Sequence, residues 1–156
     1  MPGKKPCYVL DTSLLIALFL KETGRVYRSR EVLTSDADLV LPSLAVLEIL
    51  ANPKLRVAHN PAQAPRLQAS QVLREQLYNL NLRIFELSER VVDIASGIIP
   101  ECNIKAPDAV IVATGIAVGA DKVYAWDEKL ISACQSISDR IEVCEPPQIA
   151  QAPLFV

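Results

Sequence analysis

Aromatic side chains are scarce in this sequence of 156 residues, at 5% of the total against 51% hydrophobic residues. A core so poor in aromatics has to be aliphatic, built from Leu, Val, Ile and Ala. That suits helices packed on a parallel sheet better than an all-β sandwich. The hydrophobic share and a mean hydropathy of +0.24 exclude disorder as a description of the whole. Histidine occurs once, as His59 in a Pro- and Asn-rich stretch, so a two-histidine metal site is excluded and a histidine base is a poor candidate. Cys7, Cys102, Cys134 and Cys144 form no Cys-x-x-Cys pair, which argues against zinc and for buried free thiols in a reducing compartment. No apolar run spans a bilayer: residues 14–20 supply only about a third of the roughly 20 residues needed. That run follows an Asp and precedes Lys21-Glu22, so it reads as a buried helix, and the expectation is a soluble, cytoplasmic protein with no membrane association. Positive charge is not in excess either, with a net charge of −2 and a pI near 5.4. Nucleic-acid binding by bulk charge is therefore not expected. If acids concentrate at one site, however, the remaining surface is more basic than the total suggests. Phosphate-cradling glycine loops and a Gly-x-Ser-x-Gly elbow are also lacking.

What is present is an alternation of short apolar strands and helices. Cys7-Tyr8-Val9-Leu10 reads as a strand that runs into Asp11-Thr12-Ser13 and an apolar helix. A helix over 25–34 and a strand over 38–41 follow, and Ser43 is expected to cap a helix carrying Leu44, Val46, Leu47, Ile49 and Leu50. Pro53, Pro61 and Pro65 interrupt any long element over 52–65. Next come an amphipathic helix over 66–79, a strand over 82–87, and a helix capped by Ser88 and running to about residue 96. Pro107-Asp108 opens a helix that Gly119 ends; a strand over 122–126, a short helix begun by Asp127 and a strand over 141–144 complete the pattern. With no hairpin signal and no internal repeat, the fold class is α/β: one domain over 1–156 with a mostly parallel sheet. Its core lies at about 7–144, and a Pro-rich tail over 145–156 ends Leu154-Phe155-Val156, an apolar end suited to docking on the body or on a partner chain.

The acidic positions carry the chemistry. In parallel α/β sheets, ligands bind beyond the carboxyl ends of the strands, and Asp11 and Asp127 each directly follow a strand. Asp108 starts a helix near the same edge. Each also stands where an N-cap belongs, and capping alone would account for any one of them. Glu48 is different. It lies within Leu44-Ala45-Val46-Leu47-Glu48-Ile49-Leu50-Ala51, with no basic residue at i±3 or i±4. A carboxylate there needs a partner, either a distant Arg or Lys or a cation shared with other acids. Oxygen-only donors favour a hard ion, Mg2+ or Mn2+, and such sites carry out phosphoryl chemistry by activating water and polarising the phosphate. Ser13 has two readings, a first-turn hydroxyl or a hydrogen-bond donor to a ligand carboxylate or a substrate phosphate. Lys21, Arg25, Arg28 and Arg30, with Lys54 and Arg56, either flank the carboxylates and grip substrate phosphates or form a solvated face.

These residues resemble the PIN-domain ribonucleases, and especially the VapC-type toxins of prokaryotic toxin–antitoxin pairs, from Tyr8 to about Val143. Val9-Leu10-Asp11-Thr12-Ser13 resembles the family's strand-end Asp. Pro42-Ser43-Leu44-Ala45-Val46-Leu47-Glu48 is similar to its glutamate helix, Asp108-Ala109-Val110-Ile111-Val112-Ala113 to its second Asp helix, and Trp126-Asp127 to its final acidic position. The resemblance implies a three-layer α/β/α sandwich with a five-stranded parallel sheet. It further implies Mg2+- or Mn2+-dependent RNA hydrolysis leaving 5′-phosphate and 3′-hydroxyl ends, homodimerisation, and in toxin members an antitoxin in the active-site groove. Asp11, Glu48, Asp108 and Asp127 are the expected catalytic and metal-binding quartet; Ser13, Lys21, Arg25 and Arg28 are the expected substrate contacts. The final motif departs from the family, since Ala125 replaces a hydroxyl residue and Lys129 stands where a further acid is common. Two other readings compete: a receiver-type phosphoacceptor, which lacks its paired acids here, and a catalytically weak PIN-like module that binds RNA or protein.

Overall fold

The computed structural model describes residues 3–58 and 66–150. Five short strands, β1 (Cys7–Leu10), β2 (Asp38–Pro42), β3 (Arg83–Phe85), β4 (Lys122–Tyr124) and β5 (Glu142–Cys144), form one sheet in the order β3-β2-β1-β4-β5. All four pairings are parallel, with Val9 opposite Val40 on one side of β1 and opposite Val123 on the other. The chain winds outward from β1 to β3 and then crosses back to β4. The winding direction therefore reverses at β1 and β4, where a parallel sheet opens a crevice beyond its carboxyl ends.

The helices are α1 (Thr12–Phe19), α2 (Val26–Leu33), α3 (Ser43–Ala51), α4 (Pro53–Ala58), α5 (Arg66–Asn79), α6 (Glu89–Cys102), α7 (Ala106–Val118) and α8 (Glu128–Ala133), followed by a 3-10 turn at Cys134–Ile137. Right-handed crossovers place the helices before β3 on one face and those after it on the other, which gives three layers. The aliphatic core lies between them. Val9, Leu10, Val40, Leu41 and Val123 of the sheet are fully buried, as are Leu14, Leu15, Ala45, Ile49, Val112 and Ala113 of the flanking helices. Packing is close where α7 crosses β4: a Cβ on Gly115 would stand 2.7 Å from Val123 Cγ2.

Several boundaries differ from the sequence reading, each for a local reason. Ser43 is the first residue of α3 rather than its cap; Pro42, with φ near the helical value, enters from β2 and offers no side-chain bond. Pro53, expected to break structure, starts α4, because Asn52 Oδ1 accepts from the N–H groups of Lys54 and Leu55 at 2.9 and 3.3 Å. Pro at the first helical position costs no hydrogen bond. α6 runs past residue 96 to Cys102, with Pro100 tolerated in its last turn and left-handed Asn103 ending it. α7 begins two residues before Asp108, behind Lys105. β3 and β4 are shorter than the apolar runs suggested. The four cysteines are free thiols, three of them buried. No helix among the described residues is long and apolar enough to cross a membrane. His59, Pro61, Pro65 and Leu154-Phe155-Val156 lie outside the described residues.

Candidate active site

Asp11 leaves the central strand and caps α1 at the crevice. Its own N–H donates to the Tyr124 carbonyl at 2.9 Å, which ties the end of β1 to the end of β4. Its Oδ2 accepts from the Ser13 hydroxyl at 2.6 Å and from the Ser13 N–H at 3.2 Å. The same hydroxyl oxygen accepts from the Trp126 N–H at 2.9 Å, so its proton is directed at Asp11. Only 6% of Asp11 is exposed. Burial pushes its carboxyl above the usual range, the Ser13 bonds work against that, and the nearby charge of Asp127 adds to it.

The other three acids converge from separate elements. Glu48, half-buried midway along α3, is raised first by burial and then by the charges of Asp11 and Asp108. Asp108, in the first turn of α7 and not at its cap, is raised by burial, then by Asp11 and Asp127, with Lys105 partly offsetting. Asp127 caps α8, its Oδ1 accepting from the N–H groups of Lys129 and Leu130 at 3.0 and 3.2 Å. The fold thus gathers four like charges whose positions span most of the chain. Among the described residues none of the four enters an ion pair. Among the described residues Glu48 thus has no salt-bridge partner, and the charges that raise it are those of carboxylates.

Like charges raise one another's proton affinity unless a cation compensates them. The donor set is all oxygen, as a hard divalent ion requires. It is not a closed cage: among the described residues, no three acidic, His or Cys side chains are drawn together tightly enough to hold an ion as they stand.

The basic residues have divided roles. Lys21, in a left-handed conformation after α1, lines an open recess with Thr23, Gly24, Val26, Tyr27 and Arg30. Arg25 pairs with Glu22 at 3.4 Å, and its guanidinium lies 5.3 Å from the centre of the Trp126 ring. Arg28 is engaged within the chain, at 4.6 Å over Trp126 and against Glu145. Trp126, which sequence reasoning passed over except as the neighbour of Asp127, is buried between these groups, and its indole N–H donates to the buried Ser29 hydroxyl at 2.8 Å.

The sequence matches the PIN domain over residues 8–135. The chain belongs to the PIN domain family. PIN domains are nucleases, and the carboxylate crevice lies within the matched region. Among solved structures, this PIN domain is similar to a toxin–antitoxin complex from Klebsiella pneumoniae, with 20% identity, 91% of this chain and 99% of that one covered, and a TM-score of 0.64. It is also similar to FitAcB from Neisseria gonorrhoeae, with 22% identity, 89% and 97% covered, and a TM-score of 0.61. A third likeness is to VapC20 of Mycobacterium tuberculosis, described as a sarcin–ricin loop cleaving toxin, with 16% identity, 81% and 94% covered, and a TM-score of 0.62. At these identities the likeness establishes a shared fold. Comparison with curated protein sequences gives no match.

Proposed function

We propose that this PIN domain is a divalent-metal-dependent endoribonuclease, acting as a cytoplasmic, homodimeric toxin restrained by an antitoxin protein. One observation supports the reading: four carboxylates from distant parts of the chain lie toward the sheet's switch point, and among the described residues no basic side chain pairs with them. The toxins among the similar folds support RNA as substrate and an antitoxin as partner.

Asp11 and Asp108 are the proposed direct ligands of a Mg2+ or Mn2+ ion. When bound, such an ion lowers the pKa of a coordinated water and offsets charge on the phosphate. Glu48 binds beside them or orients the attacking water and takes its proton, and Asp127 contributes through water or at a second ion. Ser13 donates its hydroxyl proton to Asp11 while accepting from the Trp126 N–H, so its proposed part is to fix the Asp11 carboxylate rather than to donate to a phosphate. Lys21 and Arg25 are the cations offered to RNA phosphates.

The test replaces Asp11 or Asp108 by Asn. Mg2+-dependent RNA cleavage is expected to fall by about 100-fold or more, the scale of losing one group that stabilises transition-state charge. Variants that cleave at the wild-type rate would sink the scheme. Calorimetric titration with Mn2+ separates it from a binding module, which would show no metal uptake. A short adjoining reading frame encoding a DNA-binding protein would support the toxin role.

A further inference from the structure

Arg28 stands in α2, an element that carries none of the four acids, and its side chain is heavily engaged within the chain. Its side chain is only 16% exposed. Nε donates to the carbonyls of Pro146 and Pro147 at 3.1 and 3.2 Å. Nη2 donates to the Pro146 carbonyl and, at 3.3 Å, to the Glu145 carboxylate. The guanidinium lies over the Trp126 ring at 4.6 Å. A phosphate-gripping arginine must present its donors to solvent; this one presents them to the segment leaving β5.

From Trp126 the contacts run on into the site. The indole is 5% exposed and fixed at its other polar end by Ser29, which is fully buried. The backbone N–H of Trp126 is the donor that orients the Ser13 hydroxyl, and that hydroxyl orients Asp11. Asp127 is the next residue. Charge-assisted bonds and a desolvated cation–π contact are among the stronger polar interactions a folded chain makes, so the peptide that serves both Ser13 and Asp127 is held from outside the crevice.

We propose that Arg28 is a positioning residue of the carboxylate site: by clamping Trp126 against residues 145–147, it fixes the orientation of Asp11 through Ser13 and the placement of Asp127. The proposal rests on the reading of that site as a divalent-metal site. It assigns the segment after β5 a structural part in it.

The experiment uses the full chain, with Mn2+ calorimetry, steady-state RNA cleavage and tryptophan fluorescence. Trp126 is the sole tryptophan, so emission reports on this position alone. Arg28→Gln and Arg28→Lys are both expected to weaken Mn2+ binding by about tenfold or more, the scale for partners that orient metal ligands. Both should lower kcat, leave KM for a short RNA and its salt dependence unchanged, and shift Trp126 emission to longer wavelength. Lysine fails to rescue because an ammonium cannot stack on the ring and fork to two acceptors together. Glu145→Gln should move the same readouts in the same direction by a smaller factor, and the double variant should be no worse than Arg28→Gln alone.

A phosphate-gripping role would give the opposite pattern: Arg28→Lys near wild type, and Arg28→Gln raising KM and flattening the salt slope by about one unit. That result overturns the proposal, as do unchanged Mn2+ affinity and emission in the Arg28 variants. If Arg28→Gln loses its cooperative melt, Glu145→Gln decides alone, and wild-type Mn2+ affinity and emission in it overturn the proposal. A wild-type chain that takes up no Mn2+ overturns the metal reading itself, an outcome distinct from variants that bind as well as the wild type.

Discussion

Asp127 does two things with one side chain. Its Oδ1 closes the start of α8 by accepting two backbone N–H groups, and its charge reaches Asp11 and Asp108. The two duties separate by substitution. Asn is as good a cap as Asp, so Asp127→Asn should leave stability within about 0.5 kcal/mol of wild type, whereas Asp127→Ala should cost about 1 kcal/mol. Both should lose Mn2+ affinity and cleavage. Thermal melts beside cleavage assays make the comparison, and full cleavage by the Asn variant would assign Asp127 to capping alone. Capping and clustering, which the sequence offers as competing accounts of Asp11, Asp108 and Asp127, turn out compatible for the first and last. Asp108 is no cap at all, because α7 starts behind Lys105. Glu48 was legible from its apolar neighbours. Arg28 was not, because its contacts lie 118 residues away and leave no periodic trace in the sequence.

Among the elements, α7 sets the depth of the site, since the helix that carries Asp108 in its first turn lies against β4 through Gly115. A methyl group at that position would meet Val123, a branched side chain with little room to turn aside. Gly115→Ala would gain about 1 kcal/mol of helix propensity and lose about 1–3 kcal/mol to overpacking. Where the helix cannot yield, the net is a loss of up to about 2 kcal/mol, read from urea unfolding. An Ala variant more stable than wild type would show that α7 can lift off the sheet. The element pattern itself was readable because strand and helix periods differ. Proline was the weak point: Pro53 read as a break, yet it begins α4, a position where a missing N–H costs little.

For the whole molecule, the carboxylates couple folding to pH and, on the proposed reading, to metal. Asp11, Glu48 and Asp108 hold protons more tightly in the folded, metal-free chain than in the unfolded one. Below the ordinary carboxylate range both states are protonated and the repulsion is absent. As pH rises through the raised folded values, the folded state has to ionise crowded groups and loses stability. Asp38, held low by Arg83, acts in the opposite sense, but at lower pH and at the surface. With chelator present, Tm should therefore fall as pH rises from the ordinary carboxylate range toward neutrality. Mn2+ at about a hundred times its Kd should restore about 2.7 kcal/mol at neutral pH. Asp108→Asn should flatten the chelated profile. A wild-type profile already flat in chelator would mean that the acids do not burden the fold.

The place of β1 between β2 and β4 also matters while the chain is being made. Synthesis delivers Asp11 and Glu48 early, and β1 and β2 can pair as soon as both have emerged. The Tyr124 carbonyl that receives the Asp11 amide, and the Trp126 amide that orients Ser13, come only near the far end. Domains fold as units, and pairings this distant in sequence form slowly. A half-made chain thus has its first acids but no finished crevice, and the site is completed only once Tyr124 and Trp126 have joined β1.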